Sequence, residues 1–140
     1  MIDLSIEMES LTKSLVRIKS VNGTTGERDI AEFILRWLQA LPYFAAHPEQ
    51  AFAQPITGDA LGRENVFAYV RGTKAGGDAS RAILWHGHID TVGTEDFGAL
   101  EPYATEPDEL LERLLAGGLP EAVRTDLATG DGCPGAARAT

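Results

Sequence analysis

Residues 82–93 read Ala-Ile-Leu-Trp-His-Gly-His-Ile-Asp-Thr-Val-Gly, an apolar run followed by two histidines and an aspartate at alternate positions. The apolar run predicts a buried strand. Side chains alternate between the two faces of a strand, so His86, His88 and Asp90 are predicted to line one face at or near its end. An imidazole followed two residues later by a carboxylate is typical of a metal ligand beside the acid that orients it, or beside a second ligand. A catalytic zinc usually takes three protein ligands, so the pattern supplies only part of a metal site.

Composition narrows the class of protein. The 140 residues suffice for one domain, and 44% of them are hydrophobic. A net charge of −9 and a pI near 4.7 argue against nucleic acid and against anionic membrane surfaces as partners. The single cysteine, Cys133, rules out an internal disulfide framework. The first residues are acidic where a signal peptide is basic, and no long apolar segment follows, so we expect a cytoplasmic protein without a membrane partner.

Three segments show helical periodicity. Apolar residues from Leu4 to Ile18 recur at helical spacing and predict a first helix over roughly residues 4–20. Thr24 and Glu27 match a T-x-x-E capping box, which predicts the start of a second helix that Pro42 closes. A third helix is predicted over residues 108–115, before Gly117-Gly118.

The segment between the second and third helices favours strands. Residues 51–54 are a weak strand candidate, whereas residues 65–71 are rich in β-branched and aromatic side chains and predict a strong one. Residues 81–89 are the next predicted strand, and the short Gly-rich connection before them predicts antiparallel pairing with residues 65–71. The expected fold class is therefore α/β, with helices packed on a mixed β-sheet.

The histidine motif admits three interpretations. In the first, it is an ordinary strand end whose histidines are buried and bonded to backbone groups, while Asp90 caps a nearby turn. In the second, it is an H-x-H-x-D-H loop of the metallo-β-lactamase type, although Thr91 stands where the last histidine belongs. The third depends on the whole chain, in which two helices and then strands precede G-H-x-D-T-V.

This order of elements and motifs resembles the start of the co-catalytic zinc exopeptidase and deacylase family, which includes acetylornithine deacetylase, succinyl-diaminopimelate desuccinylase and aminoacylase. The chain looks most like the bacterial arginine-utilisation branch of that family. The resemblance extends from about residue 10 to residue 131. Besides the motif, it rests on residues 15–21, Gly23-Thr24, residues 41–44, His47-Pro48-Glu49, residues 95–98, residues 107–110 and Gly130-Asp131.

The resemblance implies roles for two residues. His88 corresponds to the family's first metal ligand, on one zinc of a pair, and Asp90 corresponds to the catalytic-site acid that fixes the ligand's tautomer. His86 falls where the family is variable and is not counted as a ligand. In the family, two zinc ions activate a bridging water, and a glutamate acts as general base. The implied activity is hydrolysis of an amide or peptide bond in a small amino-acid derivative or short peptide, with an arginine- or ornithine-related substrate.

Several residues of the family pattern are absent from these 140 residues. The family continues with a G-R-G-x-x-D-M-K stretch whose aspartate bridges the metals, then a Glu-Glu pair and further ligands. We therefore expect this chain to lack activity and to bind a single zinc ion weakly at most. Asp96, Glu101 and Asp108 are further oxygen donors, but loop acids are usually just solvated. The alternative is a non-enzymatic remnant or interaction module.

The end of the chain departs from the family pattern. Residues 1–131 are expected to form part of a catalytic domain and residues 132–140 a disordered tail. The stretch from Leu127 to Thr140 lacks periodicity and almost all large apolar residues, which predicts poor order from Leu127 onward. Residues 132–138 read Gly-Cys-Pro-Gly-Ala-Ala-Arg, which is what a GC-rich coding run for Trp-Met-Pro-Gly-Arg-Gly-Ala gives after losing its first base. The tail is thus predicted to be frameshifted, the alternative being a natural tail of small residues, and sequencing of the gene distinguishes the two. We also expect self-association through an exposed sheet edge.

Overall fold

The computed structural model describes residues 4–73 and 81–129, and the chain divides into two compact units, residues 18–93 and residues 1–17 with 94–140. The described part combines helices with a small antiparallel sheet, which confirms the predicted α/β class. The helices are α1 (Leu4–Val16), α2 (Gly26–Ala40), α3 (Pro42–Ala46), α4 (Pro107–Ala116) and α5 (Glu121–Thr129). The strands are β1 (Ala51–Pro55) and β2 (Glu64–Ala68), and Pro48–Gln50 and Glu95–Tyr103 form 3₁₀ helices.

The core of the unit spanning residues 18–93 lies where α2 meets the β1–β2 hairpin. Ile30 and Ala31 of α2 are buried, as are Phe44 of α3 and Ala51 of β1. The helical spacing of the apolar residues explains why α2 presents one face to the hairpin. The apolar face of α2 is therefore its packing face.

The start of α2 uses the predicted capping residues with different partners. The Glu27 carboxylate accepts a hydrogen bond from the Gly23 N–H at 2.7 Å. The Thr24 hydroxyl donates to the Val21 carbonyl at 2.6 Å and accepts from the Gly26 N–H at 3.3 Å. The helix begins at Gly26, so the two side chains brace the turn before it rather than forming the predicted reciprocal box.

An ion pair closes the loop between β1 and β2. The Asp59 carboxylate, with a side chain only 7% exposed, accepts hydrogen bonds from the Arg63 N–H at 2.8 Å and from two guanidinium nitrogens at 2.9 and 2.6 Å. Gly58 and Gly62 in this loop have positive φ angles of 76° and 68°, which a side chain would disfavour. The guanidinium keeps the pKa of Asp59 below its usual value.

The prediction of a strand over residues 81–89 is wrong for this structure. Residues 81–90 form no β-ladder with any described residue, and β2 pairs with β1 instead. Ile83, Leu84 and Trp85 were expected to be buried but are 84%, 83% and 87% exposed. The apolar pattern indicates a segment suited to a sheet, but a strand forms only where a neighbour supplies hydrogen bonds. The predicted connection overlaps residues 74–80, which lie outside the described residues.

The other unit contains α1, the 3₁₀ segment, α4 and α5. Lys13 of α1 contacts Asp108 at 2.7 Å, and Arg17 contacts Glu106 at 3.3 Å and Asp108 at 3.0 Å. These ion pairs are exposed at the surface, and they join the start of α4 to α1. In α4, Arg113 stacks on the Tyr103 ring, with 3.5 Å from its guanidinium carbon to the ring centroid.

The helix boundaries in this unit partly match the predictions. The first helix ends at Val16 rather than near residue 20, whereas α4 confirms the helix predicted over residues 108–115. The last helix, α5, includes Leu127–Thr129, where the sequence predicted the start of a poorly ordered tail. That prediction is wrong for these three residues, and the predicted tail at 132–140 lies outside the described residues. No helix in the described part of the chain has the length and hydropathy needed to cross a membrane.

Candidate metal-ligand site

His88 and Asp90 form a side-chain pair at the end of the exposed segment. The His88 Nδ1 lies 3.1 Å from the Asp90 Oδ1 and 3.0 Å from the Asp90 carbonyl oxygen. Because both partners are acceptors, Nδ1 must carry a proton, and in the neutral ring Nε2 then carries the lone pair. The side-chain separation of 3.1 Å lies within the usual hydrogen-bond range of about 2.7–3.2 Å.

The His88 ring faces solvent. Its side chain is 84% exposed, and His86 is exposed as well. The interpretation in which both histidines are buried and satisfied by backbone groups is therefore wrong. The geometry leaves Nε2 of His88 accessible to a ligand from outside the protein, while its role as a metal ligand stays a prediction.

The Asp90 carboxylate also contacts a residue other than His88. Its Oδ2 accepts a hydrogen bond from the Asn22 side-chain amide at 2.9 Å, so its two oxygens contact different residues. The hydrogen bond from Asn22 is the largest influence lowering the pKa of Asp90, partial burial opposes it, and the His88 ring adds to it. Asp90 is therefore an anion that can stabilise a positive charge or a metal on the neighbouring imidazole.

The backbone of the motif is fixed by the loop that precedes α2. Val21 and Thr91 form an isolated parallel bridge, in which the Asn22 N–H donates to the Thr91 carbonyl at 3.0 Å and the Thr91 N–H donates to the Ser20 carbonyl at 2.9 Å. Ser20 is fully buried, and its hydroxyl donates to the Ile89 carbonyl at 2.9 Å. Sequence reasoning missed Ser20 and Asn22, because Asn22-Gly23 carries the same signal as any helix-terminating turn.

A cleft of about 590 Å³ lies beside the motif in the same unit. Apolar side chains of α2 line one part of it, including Ile34 and Leu38, and β2 and residues 84–90 line the rest. Arg63 and Glu27 also border the cleft, 3.4 Å apart. Because Leu84 and Trp85 in its lining are 83% and 87% exposed, the cleft is wide open to solvent at the motif.

The remaining candidate ligands are placed elsewhere. His47 follows α3, where its ring lies 4.9 Å from the Tyr43 ring. Asp96, Glu101 and Asp108 belong to the other unit, and the Asp108 carboxylate contacts Lys13 and Arg17. Across residues 4–73 and 81–129, no three His, Cys, Asp or Glu side chains come together as a metal-binding group.

The donor set fits part of a zinc site. An imidazole whose Nδ1–H is held by a carboxylate presents Nε2 as a ligand in a fixed orientation, which is the usual arrangement around protein-bound zinc. The other described candidate ligands do not complete the coordination sphere. Among the described residues, His88 as a metal ligand and Asp90 as its orienting acid thus stay predictions.

Comparisons with known proteins found two relatives in Bacillus subtilis (strain 168). Protein RocB is 37% identical over 124 residues, which are 89% of this chain and 21% of RocB. The uncharacterized protein YqjN is 34% identical over 127 residues, which are 89% of this chain and 22% of YqjN. The chain thus spans about a fifth of the length of these relatives. No protein-family model and no solved structure matches the chain.

Proposed function

We propose that this chain is part of a zinc-dependent hydrolase that acts on amide or peptide bonds of small amino-acid derivatives, and that it supplies the first metal ligand of the zinc site. The observation that carries the proposal is the His88–Asp90 pair, in which a solvent-exposed imidazole is oriented through Nδ1 and presents Nε2 outward. Similarity to two much longer proteins over 89% of this chain agrees with its being related to one portion of a longer protein.

The roles of the two residues follow from their chemistry. His88 contributes one neutral nitrogen ligand, and Asp90 holds the proton on Nδ1 and increases the basicity of Nε2. When bound in a complete site, a zinc pair lowers the pKa of a water and polarises the amide carbonyl. The substrate class follows the resemblance to the arginine-utilisation branch, which makes an arginine- or ornithine-related derivative or a short peptide the proposed substrate.

Zinc binding to the purified 140-residue chain tests the ligand assignment. We expect weak binding of a single Zn²⁺, measured by competition with a chromogenic chelator, and its loss in His88→Ala. The matched control is His86→Ala, which removes an exposed imidazole two residues away and should leave the affinity unchanged. Equal loss in both variants, or no loss in His88→Ala, would refute the assignment.

Catalysis is a separate question, because the residues described above supply neither a general base nor a bridging carboxylate. We expect the 140-residue chain to leave N-acetyl-ornithine and dipeptides intact in the presence of zinc. Metal-dependent turnover that His88→Ala abolishes would contradict this expectation and would mean that other residues complete the site.

A second candidate function is a non-enzymatic interaction module. The observation that favours it is the exposed apolar run Ile83-Leu84-Trp85, which offers apolar surface to another chain and a backbone that forms no ladder with the described residues. Under this alternative, substituting the run changes association, and zinc has no measurable effect.

A further inference from the structure

The loop at residues 20–22 does more than connect two helices, because it contacts the motif at successive residues. The buried Ser20 hydroxyl holds the carbonyl of Ile89, and the backbone on either side of Val21 exchanges two hydrogen bonds with Thr91. These bonds fix the backbone immediately before and after Asp90. Upstream, residues 81–88 are exposed and form no ladder with the described residues, so this loop supplies the main support of the motif.

The side chain of Asn22 adds a contact that a purely structural loop would not need. Its amide reaches the Oδ2 of Asp90 at 2.9 Å, while the Oδ1 of the same carboxylate faces the His88 ring at 3.1 Å. Since each oxygen has its own partner, the carboxylate cannot rotate without breaking one of the two contacts. The contact between the carboxylate and the His88 ring therefore depends on Asn22 through Asp90, beside the second contact of Nδ1 with the Asp90 carbonyl at 3.0 Å.

The chemistry of an amide suits this position. An amide N–H donates a hydrogen bond without neutralising the carboxylate, whereas a lysine or arginine at the same place would compete with the imidazole for the anion. Asp90 thus stays available to stabilise the imidazole. An aspartate at position 22 would have nearly the same shape but would place two carboxylates in contact.

We infer that Asn22 is a positioning residue that fixes the Asp90 carboxylate and, through it, the tautomer and orientation of the His88 imidazole. The inference rests on the proposed function in one respect, namely that the orientation serves to present Nε2 to a metal. The contact itself can be tested on the metal-free chain.

The first experiment measures the tautomer of His88 by long-range ¹H–¹⁵N NMR of the metal-free 140-residue chain. We expect the wild-type ring to be held with its proton on Nδ1. In Asn22→Asp, Asn22→Ala and Asp90→Asn, the population with the proton on Nδ1 should fall only in part, because the Asp90 carbonyl at 3.0 Å still accepts from Nδ1. The control is Gln54→Glu on the exposed face of β1, which makes the same amide-to-carboxylate change in the same unit and should leave the His88 signals in place.

The second experiment titrates the same variants with Zn²⁺. We expect Asn22→Asp and Asn22→Ala to bind about 10- to 100-fold more weakly than wild type, the range typical of groups that orient a ligand. Combining Asn22→Ala with Asp90→Asn should cost little more than Asp90→Asn alone, because both act through one contact. A merely structural role for Asn22 would instead give additive losses and an unchanged tautomer in the folded variants.

The two proposals fail in different ways. If His88→Ala leaves zinc affinity unchanged, the ligand assignment is wrong, and the tautomer measurement still decides whether Asn22 positions the ring. If His88→Ala abolishes zinc binding while both Asn22 variants keep the wild-type tautomer and affinity, the positioning role is wrong and the ligand assignment stands. If Asn22→Asp fails to fold, Asn22→Ala decides whether Asn22 positions the ring, because it removes the amide without placing two carboxylates in contact.

Discussion

At the scale of single residues, the site depends on positions whose side chains are small or uncharged. Gly26 begins α2 directly against the loop that holds the motif, and a Cβ built at Gly26 would overlap the backbone carbonyl oxygen of Lys19. Ser20 is fully buried with its hydroxyl engaged, and Asn22 contacts Asp90. The identity of these residues is thus set by close approach and hydrogen bonding rather than by helix propensity.

Gly26→Ala is expected to destabilise the unit spanning residues 18–93, although alanine is the better helix former. The overlap with Lys19 is a backbone contact, so α2 and the loop must separate, at a cost of about 1–3 kcal/mol, the usual range for overpacking. Thermal melts followed by circular dichroism measure the effect. Gly72→Ala is the control, because a Cβ there meets nothing within 4 Å. Equal melting temperatures for the two variants would show that the approach at Gly26 is not tight.

Asp59 should make stability depend on pH. Its pKa is lowered in the folded state, chiefly by the Arg63 side chain, so its contribution is present above the unfolded pKa near 3.8 and is lost as the pH falls through the lower folded value. Asp59→Asn should therefore be less stable than wild type at pH 7, and the difference should shrink towards pH 3. Urea melts across this range test the trend. Asp29→Asn, which removes an exposed carboxylate in the same unit, is the control, and a difference that grows on acidification would contradict the sign.

At the scale of elements, the sequence correctly predicted the features that depend on residues close together in the chain. The periodic segments became α1, α2 and α4, and the α/β class is confirmed, because apolar spacing and Pro or Gly boundaries act within one turn of the chain. Strand pairing, in contrast, depends on segments that are distant in sequence. The strand predicted over residues 81–89 does not form, whereas the weak candidate β1 pairs with β2. Similarly, the His88–Asp90 contact followed from its two-residue spacing, whereas Asn22 lies 68 residues away and could not be found this way.

A buried and an exposed isoleucine can be compared by mutation. Ile30 of α2 is 6% exposed and Ile83 is 84% exposed. Ile30→Ala should lower the free energy of unfolding by about 2–5 kcal/mol through lost burial and the cavity left behind. Ile83→Ala should change it by no more than about 0.5 kcal/mol, as for most surface substitutions. Chemical denaturation of dilute protein measures both, and a large cost at Ile83 would mean that residues 81–89 are packed in solution.

At the scale of the whole molecule, the chain exposes apolar surface in both of its compact units. Ile83, Leu84 and Trp85 form an exposed run in one unit, while Leu4, Ile6 and Met8 of α1 are between 65% and 69% exposed in the other. The two surfaces differ in backbone chemistry. In α1 the N–H and C=O groups are largely used within the helix, whereas residues 81–88 have no regular secondary structure and form no ladder with the described residues. A segment whose backbone forms no ladder with the described residues can offer hydrogen bonds as well as apolar area to a second chain.

This difference predicts self-association through residues 83–85. Sedimentation velocity over a range of concentrations should show wild-type protein forming dimers or larger species, because strand pairing between copies covers apolar side chains and satisfies backbone groups at the same time. Ile83→Asp should shift the distribution towards monomer by placing like charges across the pairing. Ile6→Asp is the matched control, since it makes the same change at an exposed isoleucine of α1 and should leave the distribution unchanged. A shift towards monomer in Ile6→Asp but not in Ile83→Asp would place the contact on α1. Strictly monomeric wild-type protein at the highest concentration would rule out association through either surface.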